Sequence, residues 1–303
     1  MSIDLESLRL FCDLVETGSF TRTAERRFVT QPAVSQKLRA LERSLGQTLF
    51  ERGRGQLRAA PTEAGRMLYE GAVRLLRHAE ELEARIQGLS NEVSGTVRVA
   101  TVYSVGLHAL PGRLKPFLAR FPAVHVHLQY SQTAKIYQDV LSGAVDVGIV
   151  ACPVARPGID VIPFGEEAMA LICAAEHPLA RRQEIELTDL EGMPFIGFAD
   201  DIPTRRLIDE HLRRAGVKVR LVNAFDNIET IKNLVEIGSG VALVPEETAR
   251  HEARAGELAM IPLAPASAFL RPAGILVKRA GARRAAMSAF VSAVRSPGDE
   301  VRV

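Results

Sequence analysis

The feature that most constrains this chain lies near its start: two helical patterns separated by only about three residues. Ser19 is a natural N-cap for the first, Phe20 to Phe28, in which Ala24 is a small inward residue. Thr30 caps the second, and Pro32 sits in its first turn, where a missing N–H costs nothing. Val34, Leu38, Leu41 and Leu45, spaced 4, 3 and 4, form its inward stripe, and Gly46 stops it. Ahead of both, Leu5, Leu8, Phe11, Cys12 and Val15 recur at helical spacing up to Gly18. Two short helices joined this tightly cross steeply and turn the second one outward.

The charge distribution says what that outward helix faces. The 303 residues carry 38 Lys+Arg and 36 Asp+Glu, a net charge of +2. Residues 19–66 hold ten bases against four acids, while residues 1–18 and 67–94 are both net acidic. A basic block inside a near-neutral protein is the footprint of a nucleic-acid contact, unless it is only a solvated face. The pattern within the block favours the contact. The outward face carries Thr30, Gln31, Pro32, Ser35, Gln36 and Arg39. A glutamine reads an adenine edge with two hydrogen bonds, and Ser and Thr hold phosphate or a base. After Leu49 and Phe50 comes Glu51-Arg52-Gly53-Arg54-Gly55-Gln56-Leu57-Arg58, a tight basic hairpin that fits a minor groove or its flanking phosphates.

Here the sequence resembles the LysR-type transcriptional regulators. The resemblance rests on Ala24, Thr30-Gln31-Pro32-Ala33-Val34-Ser35, Leu41-Glu42, Leu45-Gly46, Leu49-Phe50-Glu51-Arg52 and Pro61-Thr62-Glu63-Ala64-Gly65, about sixty residues without a gap. It implies a winged helix-turn-helix whose third helix enters the major groove and whose wing enters the minor groove. Thr30, Gln31, Pro32, Ser35, Gln36 and Arg39 then become major-groove or phosphate contacts. Arg52 and Arg54 become wing contacts, with Arg58 at the wing's base.

From Thr62 to about Val93 the pattern is helical. Leu68, Ala72, Leu75, Ala79, Leu82, Ile86, Leu89 and Val93 make an unbroken 4-3 seam. A rod of about thirty residues, about 45 Å long, cannot bury such a seam alone; it could pack against its own domain, but the strict 4-3 repeat argues for a second copy. Two copies hold two recognition helices at fixed separation and call for an interrupted inverted repeat in double-stranded DNA. The resemblance implies the same: an antiparallel dimerising linker, homodimers or homotetramers, and RNA polymerase as a candidate partner.

Ser94-Gly95 breaks the helix, and strand and helix patterns then alternate. Strands are expected at Thr96–Val102, Val124–Ser131 and Val145–Cys152, then at Ala168–Ala174, Pro194–Phe198, Lys218–Phe225 and Val241–Pro245. Helices are expected from near Ser104, Thr133, Thr204 and Asn227. This predicts an α/β region of mostly parallel sheets in two lobes. Ala273–Lys278 and a last helix return to the first lobe, with hinge crossovers near Pro163 and Ala268. The resulting division is 1–61, a winged helix-turn-helix; 62–93, a long linker helix; and 94–303, a regulatory region. Its lobe I spans about 94–163 and 269–303, and lobe II about 164–268. The resemblance extends here as a fold like the periplasmic binding proteins, through Gly143-Ala144-Val145-Asp146-Val147-Gly148-Ile149 and Gly238-Ser239-Gly240-Val241-Ala242-Leu243-Val244-Pro245.

In open parallel sheets ligands sit beyond the strand C-termini, where helix N-termini favour anions. Four junctions qualify as an effector site: Thr101, Val102, Tyr103 and Ser104; Ser131, Gln132 and Thr133; Ile202, Pro203, Thr204 and Arg205; Asn227 and Ile228. Ala151 and Cys152 end a strand that faces the same cleft. Any single hydroxyl among them can equally be an ordinary N-cap. In the family the first junction often carries Ser and Thr. Val102 and Tyr103 depart from that, which points away from an inorganic oxyanion and towards a larger organic acid. The expected mechanism is that this small molecule closes the lobes and so alters the angle between dimers and the bend of the DNA.

Other classes fare less well. Apolar residues at 47% and charged residues at 24% exclude a disordered or fibrous chain. No apolar run reaches the roughly 18 residues of a membrane span, and the acids of MSIDLESLRL do not suit a signal peptide. Three scattered cysteines fit a reducing cytoplasm. His125 and His127 alternate on one strand, but no third ligand stands at metal spacing, so neither metal nor cofactor is expected. No phosphate loop and no nucleophile–base pair is visible, so no enzyme is expected. Two alternatives remain: a solute-binding or enzymatic α/β protein with an accessory interaction domain, and a thiol-based redox regulator using Cys152 and Cys173. Their apolar surroundings argue for inert thiols.

Overall fold

The computed structural model describes residues 4–51, 59–87, 93–279 and 285–295. It divides into two compact units, residues 1–92 with 142–144, and residues 93–141 with 145–303.

In the first unit, α1 (Leu5–Thr17), α2 (Phe20–Arg27) and α3 (Gln31–Leu45) follow their local signals closely. Asp4 caps α1 by accepting from the Ser7 N–H at 2.7 Å, and Ser19 caps α2 by accepting from Arg22. Thr30 holds the cap position of α3 with extended backbone, but its side chain makes no capping bond. Leu8, Phe11, Leu14, Leu38, Leu41, Leu49 and Phe50 form the core, with Phe11 edge-on to Phe50 at 5.7 Å. The chain leaves α3 through a buried bond from the Leu49 N–H to Glu42 Oε1, 2.8 Å, and pairs Phe50 with Pro61. The wing residues Arg52, Arg54 and Arg58 lie outside the described residues.

Helix α4 (Glu63–Gln87) starts on Thr62, whose hydroxyl accepts from Gly65 at 3.0 Å. Its expected seam splits. Leu68 and Ala72, joined by Leu76 from outside the expected seam, pack into the core against α1, whereas Leu75 and Leu82 are 57% and 58% exposed, beside Met67 at 72%. A 3.6-residue helix drifts about 20° per heptad against a 3.5 repeat. One end of the stripe therefore faces its own domain. A second stripe, Met67, Leu75 and Leu82, spaced 8 and 7, faces outward.

In the second unit the first sheet runs β2 (Val124–Tyr130), β1 (Gly95–Thr101), β3 (Val147–Ala151), β9 (Leu270–Lys278), β4 (Ile159–Ala174). Strand β4 continues into the second lobe, where it pairs with β7 (Ala242–Pro245) and β8 (Leu258–Pro262). Strands β5 (Pro194–Phe198) and β6 (Arg220–Phe225) pair in parallel, and Phe195 bridges to Val241. The sheets are mixed rather than mostly parallel: β3–β9, β4–β7, β4–β8 and β4–β9 are all antiparallel. The reason is that β4 and β9 carry the chain across and back. They pair from Ile159–Lys278 to Ala168–Leu270, with a bulge at Pro163–Gly165. The two expected crossovers are thus one two-stranded ribbon.

Helices α5 (Pro111–Arg120) and α6 (Thr133–Ser142) cover the first sheet; α7 (Pro203–Arg214), α8 (Ile228–Glu236) and α9 (Glu246–Ala255) cover the second. Returning α10 (Ala285–Val294) joins the first core, Phe290 meeting Phe117 edge-on at 5.3 Å. The segment starting at Ser104 forms a π-type turn, Val105–Ala109, before α5 begins.

Candidate nucleic-acid interface and ligand cleft

Helix α3 buries Val34, Leu38 and Leu41 and leaves Thr30, Gln31, Pro32, Gln36 and Arg39 exposed, with Ser35 half-buried. The expected outward face is therefore assembled on one side of one helix. The basic block is less free than its count suggests. Arg27 and Arg26 pair with Asp13, Arg26 also reaches Glu16 at 2.8 Å, and Lys37 pairs with Glu6. These three bases tie α2 and α3 to acidic α1, so the opposite charges of segments 1–18 and 19–66 serve partly to hold the domain together.

In the second unit a cleft of about 320 Å³ opens at the strand C-termini. The first junction supplies Val102, Tyr103 and Ser104, the second Ser131, Gln132 and Thr133, the third Ile202, Pro203 and Thr204, and the fourth Ile228. Ala151 completes the floor. Four expected residues stand elsewhere. Arg205 is turned to its own helix and to β5, donating to Asp209 at 2.7 Å and to the Phe198 carbonyl at 2.9 Å. Thr101 is fully buried at the end of β1, packed so close to Gly106 that a Cβ there would lie 2.3 Å from it. Asn227 spends its side chain capping α8, accepting from the Glu229 N–H at 2.9 Å. Cys152 does not line the cleft; its backbone is left-handed, φ 47°, and its N–H donates to Pro272 at 2.7 Å.

Sequence reasoning missed Tyr130, Phe198 and Asp226 as lining residues. Tyr130 stacks on Tyr103, centroids 5.1 Å apart and planes 8° off parallel, to make one wall aromatic. A β-strand end and the first helical turn after another strand, 27 residues apart, give no local signal for such a pair.

The larger omission lies beneath the cleft. Arg271 of β9 is fully buried and donates two hydrogen bonds to one oxygen of Glu167 of β4, Nε and Nη2 reaching Oε2 at 2.9 and 2.6 Å. The two are directly opposed across the ribbon. Nη1 of Arg271 donates to Ser104 Oγ at 3.0 Å and to Thr204 Oγ1 at 3.4 Å. One guanidinium thus holds a hydroxyl from each lobe. Because each hydroxyl oxygen accepts from arginine, its own O–H must point elsewhere, and both residues line the cleft. A second bridge joins the lobes where His108 meets Glu229 at 2.9 Å, and Glu229 in turn meets buried Lys232 at 3.0 Å.

The thiols are inert in character. Burial pushes Cys173 up to about 11 and Cys12 up to about 12, the latter helped by Glu16 and Asp13. Burial also raises Cys152, against a lowering pull from Arg271. Neutral thiols of this kind are poor nucleophiles. Among the described residues no three His, Cys, Asp or Glu side chains are grouped to hold a metal, and no helix is long and apolar enough to cross a membrane. His125 and His127 are exposed on β2.

Two family models account for nearly the whole chain: a bacterial regulatory helix-turn-helix of the lysR family over residues 5–66, and a LysR substrate binding domain over residues 90–297. The chain belongs to the LysR family of transcriptional regulators. A probable RuBisCO transcriptional regulator of Trichormus variabilis is 33% identical over 267 residues, 86% of this chain and 78% of its own. One from Cyanidioschyzon merolae is 30% identical over 246 residues, covering 79% and 80%. Among solved structures, CbnR, a LysR family transcriptional regulator, matches with a TM-score of 0.74 at 22% identity, over 96% of this chain and 98% of its own. CbnR is also known in complex with target DNA. A C206 mutant of Corynebacterium glutamicum OxyR matches with a TM-score of 0.63 at 27% identity, over 97% and 92%. As a LysR-family regulator, the protein combines a DNA-binding helix-turn-helix with an effector-binding domain.

Proposed function

We propose that this LysR-family regulator binds an interrupted inverted repeat through the α3 helices of two copies and answers to a small organic acid held in the cleft. In this reading residues 1–61 bind DNA, 62–93 join the copies as dimers or tetramers, and 94–303 bind the effector in the cytoplasm, without enzymatic turnover. The observation that carries the DNA half is the single exposed face of Gln31, Gln36 and Arg39 behind which Val34, Leu38 and Leu41 are buried. A footprint on DNA upstream of the gene, at near-physiological salt with competitor DNA, is expected to protect an interrupted inverted repeat. Gln31→Ala should then relax base preference at one position of each half-site, by about 1–3 kcal/mol if the contact is bidentate. Equal loss on all sequences would assign Gln31 to the backbone.

The effector half rests on Ser104 and Thr204. They face one cleft from opposite lobes and share one buried arginine, so a carboxylate accepting both O–H groups favours the closed arrangement of the lobes. A ligand shifts the equilibrium only through such differential contacts. The aromatic wall of Tyr103 and Tyr130 suits a planar or bulky organic body rather than an inorganic anion. Thr204→Val keeps the shape and removes the O–H. It is expected to abolish the change in footprint produced by the effector while leaving effector-free DNA binding unchanged. An unaltered response would remove Thr204 from the site.

A further inference from the structure

Neither the fold nor the cleft explains the phenylalanine in the turn between α2 and α3. Phe28 is 96% exposed, the most exposed large apolar side chain among the described residues. Its backbone is left-handed, φ 54° and ψ 40°. The Val29 N–H reaches the Ala24 carbonyl at 3.0 Å and the Phe28 N–H reaches Glu25 at 3.2 Å, the hydrogen-bond pattern of a Schellman cap. Helices α1 and α3 end in the same left-handed conformation, and there the residue is glycine, Gly18 and Gly46. In this conformation the Cβ of any other L-residue crowds its own backbone. Phe28 therefore bears two costs, a strained backbone and a phenyl ring in water, and its own unit recovers neither.

Position and surroundings indicate what covers the ring. Phe28 stands two residues before Thr30 and three before Gln31, the leading end of the face that reads DNA. Apart from Val29, itself 43% exposed, its sequence neighbours Arg26, Arg27, Thr30 and Gln31 are charged or polar. One ring and one valine in a polar setting are far too small for a protein interface. It does suit a charged polymer that carries small apolar spots.

We propose that Phe28 is a DNA-contacting residue whose ring packs on an apolar surface of the duplex next to the bases read by Gln31. This rests on the DNA-binding reading of α3. Duplex DNA offers two such surfaces, the thymine 5-methyl group in the major groove and the deoxyribose face of the flanking strand. Contact with either one adds affinity without neutralising a phosphate. The salt dependence of binding therefore stays unchanged when the ring is removed.

The test uses the full chain and the duplex it enriches from a random-sequence pool. Phe28→Asn should bind that duplex about tenfold more weakly, as expected for exposing one buried phenyl ring. It should also keep the salt slope and unfold at a higher temperature than the parent, because asparagine tolerates the left-handed conformation. Phe28→Ala should weaken binding equally. Replacing single thymines by deoxyuridine separates the two surfaces: if a methyl group is the partner, one replacement weakens the parent but not Phe28→Ala. If no replacement distinguishes the two, the partner is deoxyribose. Affinities within about twofold of the parent for both Phe28 variants, with Gln31→Ala impaired, overturn the inference alone. A thermal midpoint that falls together with affinity makes the ring structural and overturns it as well. If no duplex is enriched, or if neither Gln31→Ala nor the Phe28 variants matter, the DNA reading of α3 itself fails.

Discussion

Arg271→Met is expected to lower the stability of the effector-binding domain by about 3–5 kcal/mol, the usual result of leaving a buried charge without its partner. Methionine fills much the same volume, so the loss reports electrostatics rather than a cavity. Glu167 would keep its carboxylate beneath the cleft with both donors gone, and its Oε1 already lacks a hydrogen-bond partner among the described residues. Ser104 and Thr204 would lose the donor they share. Urea unfolding of the full chain, followed by circular dichroism, should show the midpoint of one transition move sharply down. The double variant Arg271→Met/Glu167→Met should recover most of the loss, because replacing both partners of a buried pair is often nearly neutral. A single variant within about 1 kcal/mol of the parent would mean that water reaches the pair. Effector response separates stability from signalling. The double variant refolds the ribbon but no longer ties the hydroxyls of the two lobes to one group, so a stable yet unresponsive protein is the expected outcome.

The second large effect concerns assembly. Leu75→Asp/Leu82→Asp should convert the protein from a dimer or larger species to a monomer in sedimentation at micromolar concentration. Both leucines are more than half exposed, two turns apart on the outward stripe of α4 with Met67. Each is worth about 1.5–3 kcal/mol when buried by a partner, and each copy contributes both. A carboxylate in their place adds repulsion across a two-fold axis. Neither residue belongs to the core of its own domain, so the fold should survive, as an unchanged thermal midpoint for the helix-turn-helix would show. Operator affinity should fall by orders of magnitude, since each half-site then binds alone. An unchanged mass would place the interface elsewhere. As a contrasting control, Leu76→Asp should unfold the domain instead, because Leu76 is buried against α1.

These two variants probe different kinds of legibility. Helices α1 to α3 follow from local chemistry: Ser19, Pro32, Gly18 and Gly46 sit where caps and first turns need them, and 3.6-residue spacing picks out Val34, Leu38 and Leu41. The exposed face of α3 follows directly, since what a helix does not bury it presents. The junctions of the cleft were legible for a similar reason, because strand-to-helix turns have their own residue signature. The Thr62-to-Val93 seam was legible only as a pattern. Which of its residues meet α1 and which face outward depends on where α4 sits, and no spacing encodes that.

What tertiary structure alone decided is the ribbon and what it carries. Arg271 and Glu167 lie 104 residues apart, on strands that look like plain apolar crossovers, and Ser104 and Thr204 lie 167 and 67 residues from the same arginine. Local propensity acts over a few residues and hydrophobic periodicity over one element. A buried ion pair is held by desolvation and by the geometry of four segments at once. Local patterns sufficed for the helix-turn-helix, the long amphipathic rod and the α/β domain with its cleft. Only the packing of β4 against β9 decided that one guanidinium links both walls of that cleft, because a charge pays for its burial by finding every partner, and partners that far apart in the chain meet only in three dimensions.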